Sequence, residues 1–393
     1  MSKLERLIQQ YCPDGVEYVK LDSVANICRG TRVVKSQLSD KGYPVYQNCL
    51  TPMGYFERSN CNAGITFVIC GGAAGNVGYT DVECWAADDC EFIIGGHQVI
   101  NRYIYYYLMT KQNYLLSKVR KASIPRLSPS IIKDLEIPLP PLPVQEEIVR
   151  ILDAFTELQA ELQAELQKRK QQYNYYLDNL LSFKNINRGG RAEVRWMKLK
   201  DVATQWYRGA GIKREEVSED GMPCIRYGEI HTTYNIWFDD CISHADESKQ
   251  VSRKYAEKGD ILFAITSEDI PFVGNSVAYL GNERILVGGD IVVMKHNQDP
   301  KYMAYALSTS DAIKQKGKGK VKSKVVHTNV PSLQEIVIPI PSIAEQQRIV
   351  SILDRFDTLT TDLTQGLPAE IEKRRQQYEY YRDKLLTFKR KEA

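Results

Sequence analysis

Residues 168–183 read KRKQQYNYYLDNLLSF, and residues 373–388 read KRRQQYEYYRDKLLTF, identical at eleven of sixteen positions. A match of this length within one chain limits the fold to duplicated designs. It extends upstream: IPLPPLPVQEEIVRILDAF from Ile137 answers IPIPSIAEQQRIVSILDRF from Ile338. The starts of the two copies also agree, KLDSVANICRG (Lys20 to Gly30) with KLKDVATQWYRG (Lys198 to Gly209). The offset is 201 residues at Ile151–Leu152–Asp153 and 205 at the tyrosine phrase, so the second copy has gained four residues between them. The chain is a unit of about two hundred residues used twice, too long a period for a solenoid and right for domains.

Each copy divides in the same way. Short apolar runs such as TFVIC, EFII, ILFAI and DIVVMK alternate with turn residues, with one helix near 101–116 and another from Pro300. Each globule is followed by apolar residues at three- and four-residue spacing, the pattern of a long helix with a seam. The expected fold class is α+β: two mixed globules separated by two long antiparallel helices in a coiled coil, related by a pseudo-twofold repeat. The expected bounds are a short helix in 1–15, globules at 16–143 and 192–342, and helices at 144–184 and 343–393. Gly366 and Pro368 predict a break in the second helix. ELQAELQAELQ, Glu157 to Gln167, repeats a four-residue unit inside the first.

Composition removes several classes. No apolar run reaches a membrane span and MSKLERLIQQ has no signal-peptide core, so the expected location is cytoplasmic. Nine cysteines without a CxxC spacing suit neither a disulfide framework nor zinc, and no metal site is expected. No Walker A, HExxH, GxSxG or adenine-methyltransferase tetrapeptide occurs. GGAAGNVG at 71–78 is followed by a strand pattern and reads as a turn, not a dinucleotide fingerprint. No catalytic residue is predicted.

Net charge is only +3, so a polyanion would be met by local patches. Lys314, Lys316, Lys318, Lys320, Lys322 and Lys324 occupy every second position, which in an extended segment lines six ammonium groups along one side. Lys111, Lys118, Arg120, Lys121 and Arg126 form the matching stretch of the first copy. Arg29, Arg32 and Lys35, and then Arg208, Lys213 and Arg214, follow the repeated strand starts. VYQN with Gln47 and Asn48, and IRYGEIHTTY with Arg226, Tyr227 and His231, supply groups that pair with base edges. Each of these is also an ordinary surface residue on its own.

Taken together, CPDGVEYVKL, the two IPxP–ILD stretches and the two QQY phrases resemble the specificity (S) subunits of type I restriction–modification systems, across the whole chain. The resemblance implies a non-catalytic subunit whose two target recognition domains each read half of a split double-stranded DNA sequence, with the helices setting the gap. It implies docking of two methyltransferase (M) subunits on the helices, through Ile148, Phe155, Tyr173, Tyr176, Ile349, Phe356, Tyr378 and Tyr381, and restriction (R) subunits in the full complex. It also implies that this chain binds no cofactor: S-adenosylmethionine belongs to the M subunit, ATP and Mg to the R subunit. The residues alone leave open a self-contained methyltransferase or nuclease and a helical scaffold without a DNA role.

Overall fold

The computed structural model describes residues 2–183, 194–249, 252–321, 324–361 and 365–392, without the side chains of Arg214 and Lys249. The helices that matter here are α1 (Lys3–Tyr11), α2 (Asn101–Thr110), α3 (Gln112–Ser117), α4 (Leu142–Ser182), α5 (Tyr227–Thr232), α6 (Pro300–Leu307), α7 (Ser310–Gly317), α8 (Ile343–Thr361) and α9 (Leu367–Leu385). Two compact units result: residues 1–164 with 370–393, and residues 165–369. They do not follow the two sequence copies. Each unit takes its globule and the helical stretch next to it from one copy, and its QQY phrase from the other. Residues 373–388 thus join the first unit, and 168–182 the second.

The first unit is built on the antiparallel order β2-β5-β3-β4, where β1 is Tyr18–Lys20, β2 Ala25–Arg29, β3 Ile65–Ile69, β4 Val77–Thr80 and β5 Cys90–Gly95. Strand β3, ITFVI, is buried throughout because it is covered on both faces. Its alternation still sorts the side chains: Val68 joins the core under α2, while Ile65, Phe67 and Ile69 fill a second cluster with Phe92 and Cys84. Strand β1 pairs with β6 (Glu136–Pro138), which leads into α4.

The end of the chain closes this unit. Val16 N–H donates to the Lys389 carbonyl at 2.8 Å, Lys391 N–H returns to Val16 O at 3.0 Å, and the Tyr18 hydroxyl reaches Phe388 O at 3.0 Å. Gly15, at φ +104°, makes the approach possible, since a Cβ there would stand 2.6 Å from the Lys389 carbonyl. The CPDGVEY motif is therefore a seat for the chain's own last residues. Helix α1, capped by the reciprocal Ser2–Glu5 pair, adds Leu4 to the core and Lys3 to Glu147 at 2.7 Å.

The second unit repeats the sheet with one strand more. Here β7 is Arg195–Lys198, β8 Ala203–Arg208, β9 Trp237–Phe238, β10 Ile261–Ala264, β11 Thr266–Ser267, β12 Ser276–Tyr279, β13 Ile291–His296, β14 Val326–His327 and β15 Val337–Ile340. The order is β8-β13-β10-β12-β9, antiparallel except for the added β9. Strands β7 and β15 pair as β1 and β6 do.

The repeated motifs tie each sheet to its helices in the same way. Tyr103 and Tyr302, fully buried on α2 and α6, donate to the carbonyls of Pro138 and Pro339 at 3.0 and 2.8 Å. One helical turn on, Tyr106 donates to Asp153, and Tyr305 to Asp354 at 2.7 Å. Arg102 and Lys301 pair with the same two carboxylates at 2.8 and 2.7 Å. The buried amides of Gln145 and Gln346 bind backbone at the entrance of each long helix, accepting from Ile100 N–H and Asp299 N–H, both at 3.0 Å. These bonds give the IP, QEE/QQR and ILD fragments their structural meaning.

Candidate nucleic-acid interface

The repeated Arg–Gly dipeptides end β2 and β8 at the same place. Gly30 and Gly209 donate to the Cys90 and Ile291 carbonyls at 3.1 and 2.8 Å. A Cβ on either would stand 2.2 Å from a carbonyl, Ala87 or Gly288, so no larger residue fits this crossing. The arginine before each glycine is thereby fixed at a cleft mouth. Arg29 Nε donates to Asp88 O at 2.8 Å; Arg208 Nε donates to Gly289 O, and its Nη2 meets Asp290 at 2.7 Å.

In the first unit, Arg29, Lys118, Arg120 and Arg126 line one cleft of about 410 Å³. The loop after α3 is folded on itself, with Arg120 and Arg126 exchanging backbone hydrogen bonds at 2.8 and 3.2 Å. Three acids enter the same cleft, Asp88, Asp89 and Glu91. Arg126 pairs with Asp89 at 3.1 Å, and burial raises the Glu91 carboxyl against the pull of Lys133 and Arg29. Sequence reasoning found the cations and missed these acids, whose only trace is the DDCE run at 88–91. Arg32, Lys35, Lys121 and Asn48 are exposed, Gln47 is half-buried, and none of the five lines this cleft.

In the second unit, Arg208, Arg226 and Tyr227 line a cleft of about 550 Å³ together with Glu229 and Asp290. Arg226 opens α5 and its guanidinium donates to Glu229 Oε1 at 3.1 Å, an oxygen that Ser243 also reaches at 2.7 Å. Tyr227 also walls a neighbouring cleft that holds His231. His231 Nε2 lies 2.9 Å from the Thr266 carbonyl and so donates to it; its Nδ1 accepts from Asn275 at 3.4 Å. Lys213 is exposed and lines neither.

The lysine row is not extended, which corrects the alternating reading. Thr309 caps α7 by accepting from Ala312 N–H at 3.3 Å, and the helix carries Lys314 and Lys316. Helical spacing puts Ala312 and Lys316 on one buried face. Among the described residues the Lys316 ammonium meets Ser276 Oγ at 3.3 Å and no carboxylate. Burial pulls it down to about 7, so it is no surface cation. Lys318, Lys320 and Lys324 remain on the loop, the first and last exposed and Lys320 half-buried. Lys322 and the Arg214 side chain lie outside the described residues. The Thr-Ser-Asp start at 309–311 is the overlooked helix signal.

Each unit thus carries an arginine-bearing cleft at the repeated strand end, and the repeat itself matches a known family. The family model for the type I restriction modification DNA specificity domain matches residues 13–169 and again 192–373. The chain belongs to that specificity family. A protein named as a putative type I restriction enzyme specificity subunit in Haemophilus influenzae is 31% identical over 98% of both chains. The EcoR124I/EcoR124II specificity subunit of Escherichia coli is 35% identical over 76% of this chain and 73% of its own. Among solved structures, an S subunit of a type I restriction-modification system from M. genitalium superposes with a TM-score of 0.56 at 18% identity, covering 94% of this chain and 95% of that one.

In this specificity-family chain the helix seam is packed inward at Ile148, Phe155, Tyr173, Ile349, Phe356 and Tyr378, which corrects the expectation that those six face a partner, while Tyr176 and Tyr381 stay exposed. Ile148 and Ile349 are fully buried in the two cores, and Tyr378 and Tyr173 pack against them. Phe155 stacks on Tyr381 in the first unit at 5.6 Å, and Phe356 on Tyr176 in the second at 5.2 Å. The same aromatic pair thus forms twice, each time between residues of different copies. More exposed than Tyr176 and Tyr381 is the tyrosine one position earlier in each phrase. Tyr175 is 65% exposed and Tyr380 61%, each edge-on to Tyr176 or Tyr381. Both fall off the three–four spacing, so the apolar periodicity does not select them. Among the described residues no helix is long and apolar enough to cross a membrane.

Proposed function

We propose that this specificity subunit reads a bipartite double-stranded DNA target, one half through each unit, and carries no catalytic step itself. The observation that carries the reading is the repeated Arg–Gly crossing at the same strand end, which sets one arginine at the mouth of a cleft in each unit, in units that each carry a basic loop after the matching helix. Cations at the mouth suit phosphates, and the acids beside them hold the guanidinium groups in place and admit only a partner that supplies donors of its own. The two exposed tyrosine pairs, Tyr175–Tyr176 and Tyr380–Tyr381, are equivalent surfaces for two copies of a methyltransferase subunit, since tyrosine is favoured at interfaces. That subunit brings S-adenosylmethionine; a restriction subunit brings ATP and Mg; the assembly works in the cytoplasm.

The test is an exchange of residues 192–342 for the matching segment of a relative, followed by sequencing of methylated genomic DNA from cells that also carry the methyltransferase subunit. One half of the methylated motif changes and the other stays. A change in both halves, or methyl transfer by the isolated chain, overturns the reading.

A further inference from the structure

The hairpins β3–β4 and β10–β12 are the same structure with different tips. Ile69 N–H donates to Asn76 O at 2.9 Å and Gly75 N–H to Ile69 O at 2.8 Å; Ala264 to Asn275 and Gly274 to Ala264 repeat this at 2.8 and 2.9 Å. Gly75 and Gly274 both have positive φ, +88° and +73°. Between these anchors the first unit has CGGAA and the second ITSEDIPFV, four residues more. The short tip presents no functional group and its glycines are pressed against Asp89 and Asn48. The long tip presents Glu268, Asp269 and Phe272, all exposed.

The long tip is built rather than loose. Residues 265–267 and Val273 are buried, β11 pairs with β14 directly after the lysine loop, and Phe272 N–H closes on Asp269 O at 3.2 Å. It forms one wall of the 460 Å³ cleft whose other wall is α5, so that Phe272 and Tyr227 line the same space. Among the described residues neither carboxylate has a hydrogen-bond or ion-pair partner, although lysines 318, 320 and 324 lie on the adjoining loop. An unpaired carboxylate beside a phosphate backbone is repelled by it. It is favourable there only where it accepts from a base, and the cytosine N4 amino group in the major groove is the donor that fits. An exposed phenylalanine next to it fits a thymine methyl.

We propose that this tip is the base-reading group of the second unit, with Glu268 or Asp269 accepting from a cytosine amino group and Phe272 packing on a thymine methyl; the assignment rests on the DNA-reading role above. The first unit has no counterpart and reads by other residues. The experiment uses the complex assembled with the methyltransferase subunit, and compares Glu268→Gln, Asp269→Asn and Phe272→Ala by methylated-motif sequencing and by DNA affinity at several salt concentrations. The expected result is relaxation at one or two positions of a single half-site, by roughly tenfold or more per position, with the other half and the salt slope unchanged. Glu268→Gln should shift tolerance toward adenine, which glutamine pairs at N6 and N7. An unchanged motif in all three variants overturns the proposal while leaving the reader role intact. A uniform decrease of affinity across sequences also overturns it. Absence of sequence-specific binding by the wild-type complex would instead remove the reading on which it rests.

Discussion

The two units share their inner parts and differ at their tips. The tyrosine–aspartate clamps, the buried glutamines, the Arg–Gly crossings and the Phe–Tyr stacks recur with nearly the same distances. The hairpin tips, the second-face clusters and the cysteines do not: seven cysteines precede residue 91 and only Cys224 and Cys241 fall in the second unit. The shared residues face helices, whose geometry must be the same twice. Of the differing tips, the long one of the second unit faces outward at Glu268, Asp269 and Phe272, while the short one of the first is covered. The division of labour is visible within one chain, without reference to any other.

The largest effect should come from the ELQA tract, which crosses from the first unit to the second at Ala164/Glu165. One added ELQA lengthens α4 by about 6 Å and adds roughly 40° of rotation. Rotation corresponds to about one base pair of B-DNA and matters more than axial length, which bending absorbs. Methylation sequencing should show both half-sites kept and the gap between them one base pair longer; the original gap at full activity would show that the tract sets nothing.

The clamps offer a direct test of equivalence. Asp153→Ala removes the carboxylate that Tyr106 and Arg102 share, and Asp354→Ala removes the one that Tyr305 and Lys301 share. Each should destabilise its unit by about 2–3 kcal/mol, and chemical denaturation should give values within about 1 kcal/mol of each other. Destabilisation confined to one unit would mean that the repetition is one of sequence only.

The lysines separate a buried cation from exposed ones. Lys316→Met should raise thermal stability and leave DNA affinity alone, because it removes a buried ammonium that meets only the Ser276 hydroxyl, and no carboxylate, among the described residues. Lys318→Gln with Lys324→Gln should weaken binding to all sequences and reduce the salt slope by roughly 0.9 for each phosphate that is no longer neutralised. The opposite assignment would restore the extended row.

The smallest effect is one of pH. Burial and the neighbouring Asp354 push the Asp357 carboxyl from its ordinary 3.8 up to about 6; the first unit has Thr156 at the matching place. A carboxyl raised in the folded state holds its proton to higher pH there than in the unfolded chain. Stability therefore falls as pH rises from about 4 to about 6 and is level above that. Asp357→Asn should flatten this part of the profile and stabilise the second unit at neutral pH. Thermal unfolding across that range, compared with Thr156→Val in the first unit, should show the slope in the second unit alone.

The sequence by itself determined the duplication, the helical runs with their break before α9, and the GGAAG turn, because repeats and periodicities are properties of neighbouring residues. It also located the arginines at the strand ends. Tertiary structure alone decided which partner each phrase meets. Nothing local tells residues 373–388 to pack on the first globule, since both cores offer apolar seats, and chain connection with the pairing of Val16 to the C-terminal segment settles it. Nor could spacing distinguish an exposed lysine from Lys316, or reveal that Asp89 and Asp290 stand against the arginines. Period two and period four overlap in KQKGKGK, and a charge's value depends on neighbours that lie tens of residues away in sequence but about 3 Å away in space.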